Sequence, residues 1–162
     1  MDNGQAGVDP RYFREVCSQY ATGVAVITSC SSEGKLAGVT VNSFSSVSLD
    51  PPLIQFCLDR KASVFPIFME CLHFAVNVLS RDQQALSNIF AVRSDAFDEV
   101  SYVSGAGDCP VFEACVANIE CEKFAIYEGG DHVIILGRVQ DLRCVPAHEP
   151  LLFFRGTYGT FS

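Results

Sequence analysis

The glycine pair Gly129–Gly130 constrains this chain more than any other feature. It separates two long runs rich in β-branched and aromatic residues, ACVANIECEKFAIYE (114–128) and HVIILGRVQDLRCV (132–145), and such runs around a glycine turn read as a hairpin of two long strands. Strands joined by so short a connection pair antiparallel, because a parallel neighbour needs a crossover of a dozen residues or more. The turn also delivers a titratable pair, Asp131 and His132, to the mouth of the second strand. The ring nitrogens of His132 are satisfied either by Asp131 and backbone, or by something the strand entrance faces, and this segment alone leaves both readings open.

The rest of the chain extends the meander. Residues 10–20 (PRYFREVCSQY) place Phe13, Val16, Cys17 and Tyr20 at helical spacing behind a first-turn proline, which predicts a helix with one apolar face. Strands are predicted over VAVITSC and LAGVTV, joined by the loop SSEGK, then over FSSVSL and LIQFCL on either side of Asp50-Pro51-Pro52. Ser63 is expected to cap a short helix through VFPIFME, and Ser80 a longer one through RDQQALSNIFA, with the strand LHFAVNVL between them. Residues 92–112 lack sustained periodicity and read as a long surface excursion. The end, PLLFFRGTYGTF, reads as one more strand that breaks at glycine. Strands outnumber helices and follow one another through short turns, which favours a mainly β fold with its antiparallel sheet closed into a barrel.

The 162 residues fit one domain, expected over 10–162 behind a loose tail at 1–9, and 49% hydrophobic content is ample for a core. A formal net charge of −8 argues against a nucleic-acid-binding surface, although a small bound anion needs only a few local donors. The eight cysteines show neither CxxC pairs nor a Cys/His zinc pattern, and no secretory signal opens the chain, so free thiols in a reducing cytoplasm and no metal site are expected. Cys57, Cys115 and Cys121 lie in apolar segments and read as small core residues. No apolar run approaches the ~20 residues of a membrane-spanning helix, which predicts a soluble protein without a membrane partner. A GxGxxG after the first strand is also missing, which argues against a Rossmann site but not against use of a nicotinamide.

The segment richest in chemistry is GVTVNSFSSVSLDPPLIQFCLDRKAS, 38–63. Its hydroxyls, amide and backbone, set between two apolar strands, suit a flat heterocycle with hydrogen-bonding edges, and equally suit ordinary cross-strand bonds on a sheet face. The ending DRKAS gathers Arg60, Lys61 and Ser63 at a helix start, where backbone N–H groups attract phosphate, and solvated surface charge is the alternative reading of the two cations.

Taken together, YATGVAVITS, GVTVNSFSSVSLDPPLIQFCL, RKAS, FAVNVLS, GGDHVIILGRV and PLLFFRGTYG, in that order, resemble the short-chain NAD(P)H:flavin reductase family, the reductase components of two-component flavin monooxygenases. The likeness runs from about Tyr12 to Gly159. It implies an antiparallel Greek-key split β-barrel that binds FMN, with FAD as an alternative, and a homodimer. It also implies hydride transfer from NADH or NADPH to the flavin, and a partner monooxygenase that receives the reduced flavin.

Carried over by residue, the resemblance sets the isoalloxazine ring against Thr40, Val41, Asn42 and Ser43, with Ser46 beyond them, and against Cys57 and Leu58. It assigns Lys61, Ala62 and Ser63 to the phosphate side and Asn77 and Tyr158 to the pocket lining, and makes His132 the catalytic residue beside the nicotinamide or flavin. Related sequences commonly carry an arginine before the Phe-Ala of the LSNIFA helix where this chain has Ile89, which leaves Arg93 as a substitute phosphate ligand. A non-catalytic flavin carrier and a reductase of another acceptor such as a corrinoid are the rival functions.

Overall fold

The computed structural model describes residues 7–161. Most of the expected tail lies outside them; its last member, Asp9, accepts the backbone N–H of Arg11 at 2.7 Å and so caps helix α1 (Pro10–Cys17). The chain continues through β1 (Thr22–Gly23), β2 (Ala25–Cys30), β3 (Leu36–Val41), β4 (Ser45–Leu49) and β5 (Pro52–Asp59). Then come α2 (Phe65–Glu70), β6 (His73–Val78), a 3₁₀ turn at Arg81–Gln83 and α3 (Gln84–Val92). Two short strands, β7 (Tyr102–Ser104) and β8 (Pro110–Phe112), precede the long hairpin of β9 (Ala117–Gly129) and β10 (His132–Cys144). The chain ends in β11 (Leu152–Phe154) and β12 (Thr157–Gly159).

Seven strands form one antiparallel sheet in the order β3-β2-β6-β9-β10-β5-β4. Its two edge strands, β3 and β4, are consecutive in sequence, and only Asn42–Phe44 separate them. At ~3.5 Å per residue that link cannot span an open sheet, so the two edges must curl together and the sheet becomes a barrel with a seam. Ser43 stitches the seam: its Oγ accepts the Cys57 N–H at 2.9 Å and donates to the Cys57 carbonyl at 3.3 Å, standing in for a missing ladder partner. The result is the expected split barrel.

Inside it, Phe56 packs edge-on to Phe68 (5.8 Å) and Phe74 (5.2 Å) among Ile27, Leu58, Val76 and Ile135. A Cβ on Gly137 of β10 would run into the Phe74 ring and Cys121, so glycine is what lets β10 lie this close to the core at its bulge. A second apolar cluster, Val26, Leu79, Phe90, Phe97, Phe112 and Leu151, fills the space outside the barrel under α3.

Several expectations need correction. Residues 92–112 are a surface excursion only in part: 98–108 stay largely exposed, but Ala96, Phe97, Cys109, Val111 and Phe112 are buried, and the elements there are only three residues long, too short to show a period. Ser63 does not cap α2, whose N-cap is Val64 with no side-chain bond; the helix is anchored at its other end, where Lys123 Nζ donates to the carbonyls of Phe68 (2.9 Å) and Met69 (2.7 Å). Ser80 does sit where expected, with its N–H bonded to Gln83 Oε1 at 3.0 Å. The chain end is two strands with Arg155-Gly156 as their turn. The helix α1 is shorter than predicted and buries no residue; Tyr12, Phe13, Val16 and Tyr20 are each at least 51% exposed.

Candidate functional site

The seam of the barrel opens into a cleft of about 220 Å³. One wall is the end of β3 and the link after it, Thr40, Val41, Asn42 and Ser43; the other is Cys57 and Leu58 of β5, with Ala62 at the rim and His132 facing them. Val39 and Asp59 complete the lining and are missing from the sequence reading. Asp59 has a local signal, an aspartate before Arg-Lys at a strand end: its Oδ1 accepts the Lys61 N–H at 2.8 Å and closes the turn after β5.

The hydroxyls predicted to bind a ligand are already engaged. Thr40 Oγ1 donates to the Ser87 carbonyl of α3 at 2.7 Å, and Ser43 is committed to Cys57. What the wall offers instead is backbone: Asn42 and Ser43 belong to no strand and make no backbone–backbone hydrogen bond among the described residues. The Asn42 amide is likewise without a hydrogen-bond partner among those residues. Unpaired N–H and C=O edges along a narrow slot, floored by apolar strands, match a planar heterocycle with alternating donors and acceptors, so the residues present fit a flavin ring.

His132 reaches this slot because three contacts fix the turn before it. Gly130 adopts φ +79°, a conformation open to glycine at no steric cost. The Arg60 backbone N–H donates to the Asp131 carbonyl at 3.1 Å and Arg60 Nε to the Gly130 carbonyl at 3.2 Å, while its guanidinium is paired with Glu128. Arg60 is therefore neither a phosphate donor nor a loose surface charge; it clamps the hairpin to β5. Asp131 Oδ1 then meets His132 Nδ1 at 2.8 Å. The bond from His132 holds the Asp131 carboxyl below the usual carboxylate range. Asp131 thus stays ionised into mild acid, and the contact is lost only as pH falls through that lowered value. With Nδ1 engaged, Nε2 is the nitrogen left for the cleft.

Comparison with known proteins matches residues 17–162 to the family described as "Flavin reductase like domain". The chain belongs to that family. A flavin reductase of Pseudomonas putida is 39% identical over 98% of this chain and 94% of its own length. The FMN reductase (NADH) SmoA of Agrobacterium fabrum is 42% identical over 96% and 88%. Among solved structures, the Streptomyces globisporus NADH:FAD oxidoreductase SgcE6, in complex with NAD and FAD fragments, superposes with a TM-score of 0.89 at 38% identity, covering 96% of each chain.

Not every residue assigned from the resemblance to flavin reductases reaches the cleft. Lys61 and Ser63 flank Ala62 at its rim; Ser63 Oγ meets Ser94 Oγ at 3.1 Å, and Lys61 has no carboxylate partner among the described residues. Ser46 is exposed on β4, outside the lining. Asn77 is fully buried inside the protein, not in the pocket: Nδ2 donates to the Val26 carbonyl (3.1 Å), and Oδ1 accepts from Phe112 N (2.9 Å) and Asn118 Nδ2 (2.9 Å). Arg93 is paired with Glu99 and lies 4.0 Å from both Asp95 and Asp98, an acidic neighbourhood that spends its charge. Tyr158 does not line the cleft; its hydroxyl meets Ser87 Oγ at 2.8 Å, bracing from behind the helix that holds Thr40.

Four of the eight thiols, Cys71, Cys109, Cys115 and Cys121, are core residues, whereas Cys57, expected among them, is only partly buried because it stands in the cleft wall. Burial pushes Cys109 up to about 12, Cys115 to about 11 and Cys121 to about 12, while Cys17 and Cys144 are exposed. Thiolates are the reactive form. Alkylation of the native protein at mildly alkaline pH, read by peptide mass spectrometry, is expected to label Cys17 and Cys144 first and to spare Cys109, Cys115 and Cys121 until denaturant is added.

Proposed function

We propose that this protein is an NAD(P)H-dependent flavin reductase that binds FMN in the seam of its barrel and supplies reduced flavin to a partner monooxygenase. The observation that carries this reading is the convergence of Thr40–Ser43, Cys57, Leu58, Ala62 and His132 on one cleft. Bound flavin supplies the two-electron chemistry. The chain supplies a slot whose hydroxyls are tied off internally, so its wall does not reorganise when charge develops. It also fixes the relative placement of the two reactants, on which hydride transfer chiefly depends. His132, with Nδ1 held by Asp131, offers Nε2 to stabilise negative charge on the reduced ring or to orient the nicotinamide carboxamide.

Several finer readings belong with this one. The flavin-binding unit is a single domain over residues 10–162. Reductase subunits of flavin-dependent monooxygenases are among the relatives, at 35% identity for HsaB of Rhodococcus jostii, which supports an oxygenase as recipient. The exposed apolar face of α1 supports a homodimer in which a second copy covers it. Sedimentation at micromolar concentration tests this, and a monomer refutes it. The reducing cytoplasm fits eight cysteines that are all free.

Mixing the purified protein with NADH and free FMN under air tests the function: catalytic consumption of NADH supports it, and stoichiometric or absent oxidation makes the protein a carrier. Lys61→Ala tests the phosphate side. It should weaken FMN binding by about 10-fold, the worth of one charge-assisted contact, and leave riboflavin, which lacks the phosphate, nearly unchanged. Equal loss for both ligands would remove Lys61 from the site.

A further inference from the structure

Arg60 stands where two parts of the site meet. On one side it belongs to the turn that ends β5: the Lys61 N–H donates to Asp59 Oδ1 at 2.8 Å and the Ala62 N–H to the Asp59 carbonyl at 3.0 Å, so residues 59–62 form one closed turn. That turn sets Lys61 and Ser63 on either side of Ala62 at the rim of the cleft. On the other side Asp59 is paired with His132 across β5 and β10, and Arg60 reaches past that pair to the hairpin turn. Its backbone N–H donates to the Asp131 carbonyl at 3.1 Å, its Nε to the Gly130 carbonyl at 3.2 Å, and its guanidinium pairs with the Glu128 carboxylate.

One residue thus holds Glu128, Gly130 and Asp131 in the stretch that leads into His132. Asp131 is gripped twice, its carbonyl by Arg60 and its carboxylate by His132 Nδ1 at 2.8 Å. An unbroken path therefore runs from the turn after β5 through Arg60 and Asp131 to the imidazole. The two ends also act on each other through charge: Asp131 is held below the usual carboxylate range first by its bond to His132 and, in smaller part, by the Lys61 ammonium.

Magnitudes decide what the clamp is for. The Glu128 side chain is 86% exposed, and an ion pair so open to water adds little to stability. The same contacts matter far more for placement, because no other part of the protein packs around Gly130, where an added Cβ would meet nothing within 4 Å. A group displaced by about 1 Å from a reacting centre can cost about 100-fold in rate.

We infer that Arg60 is a positioning residue that couples the phosphate side of the flavin site to His132, so that a flavin's phosphate acts on the rate of its reduction as well as on its affinity. Phosphate seated on Lys61 and Ser63 fixes the turn, the turn fixes Arg60, and Arg60 fixes the hairpin that carries the imidazole. Binding energy from a group remote from the chemistry is thereby realised at the reacting ring, and a flavin truncated at the phosphate loses rate. The inference rests on the flavin reductase reading of the cleft and specifies which substrate group the site uses to promote turnover.

The test is Arg60→Lys. Lysine keeps the positive charge beside Lys61, but a single point donor cannot hold Gly130 and Glu128 together. At saturating flavin, stopped-flow reduction by NADH should be about 5-fold faster for FMN than for riboflavin in the wild type, and the variant should remove most of that difference by slowing the FMN reaction. FMN affinity should hold within about twofold and Tm within about 4 °C. Glu128→Gln, which frees the guanidinium without removing it, should slow FMN reduction in the same sense. A guanidinium that merely served the phosphate would instead bind FMN more tightly once freed and leave the rate alone, a result that overturns the inference. In a His132→Ala background Arg60→Lys should have no further effect on the rate.

Nitrogen NMR of the His132 ring reads the clamp without turnover. The neutral wild-type ring should keep its proton on Nδ1, against Asp131, and in Arg60→Lys it should drift towards the tautomer mixture of a free imidazole. A ring signal that moves supports the clamp even in a protein that fails to reduce flavin, an outcome that would refute the function instead. Equal reduction rates for FMN and riboflavin in the wild type overturn the inference, as do a rate ratio that Arg60→Lys leaves standing, an unmoved ring signal, or additive effects of Arg60→Lys and His132→Ala.

Discussion

Replacing His132 with alanine is expected to lower kcat/KM for NADH oxidation by about 100-fold while FMN binds within about twofold of its normal affinity. The asymmetry follows from where the side chain stands. The slot is built from backbone at Asn42 and Ser43 and from Cys57 and Leu58, none of which His132 supports, so a flavin ring keeps its seat when the imidazole is removed. What the imidazole contributes is directed at the second reactant and at charge that exists only once hydride has moved, which is why the loss falls on turnover. Stopped-flow reduction of FMN-loaded protein by NADH separates the two quantities. Unchanged reduction would return His132 to a turn residue satisfied by Asp131. Asp131→Ala should produce a smaller fall, because it frees the ring to rotate without removing it. The Asp131→Ala defect should also be proportionally smallest in acid, where the wild-type contact is itself lost as Asp131 protonates.

The long hairpin was legible because thirteen-residue strands show their period many times over and Gly129–Gly130 marks the turn between them. The cleft was legible through the resemblance, since the motifs at 57–58 and around His132 fall on the paired strands β5 and β10, and the one at 40–43 meets them across the seam. Harder to read was anything decided by a partner distant in sequence. The amphipathic spacing of α1 showed that a face is apolar but not whether this chain covers it, and Tyr12, Phe13 and Val16 turn out exposed. Arg60 and Arg93 looked alike as candidate phosphate ligands until the fold set one beside Gly130 and the other beside Glu99. Arg14 and Arg155 are separated by most of the chain, and no local pattern hints that they line one cavity.

Asn77 gives the sharpest case, and substituting alanine there should cost about 3 kcal/mol of stability without touching flavin affinity. In the sequence it is one polar residue in an apolar strand, equally suited to a ligand or to the interior. In the fold it joins three segments: the Val26 carbonyl of β2, the Phe112 N–H of β8 and the Asn118 amide of β9 all bond to it, and Asn118 Nδ2 also donates to the Phe112 carbonyl at 3.1 Å. Truncation leaves the Phe112 N–H and Val26 carbonyl to find new partners in a site with no solvent access, and each unsatisfied group costs roughly 1–3 kcal/mol. For a chain of this size that corresponds to a fall in Tm of roughly 6–12 °C. Thermal unfolding of Asn77→Ala beside an FMN titration decides between the two roles. A large drop in Tm with unchanged FMN affinity confirms the internal junction, whereas weakened FMN binding at an unchanged Tm would put Asn77 back in the pocket, a position its complete burial behind β2 makes hard to reach.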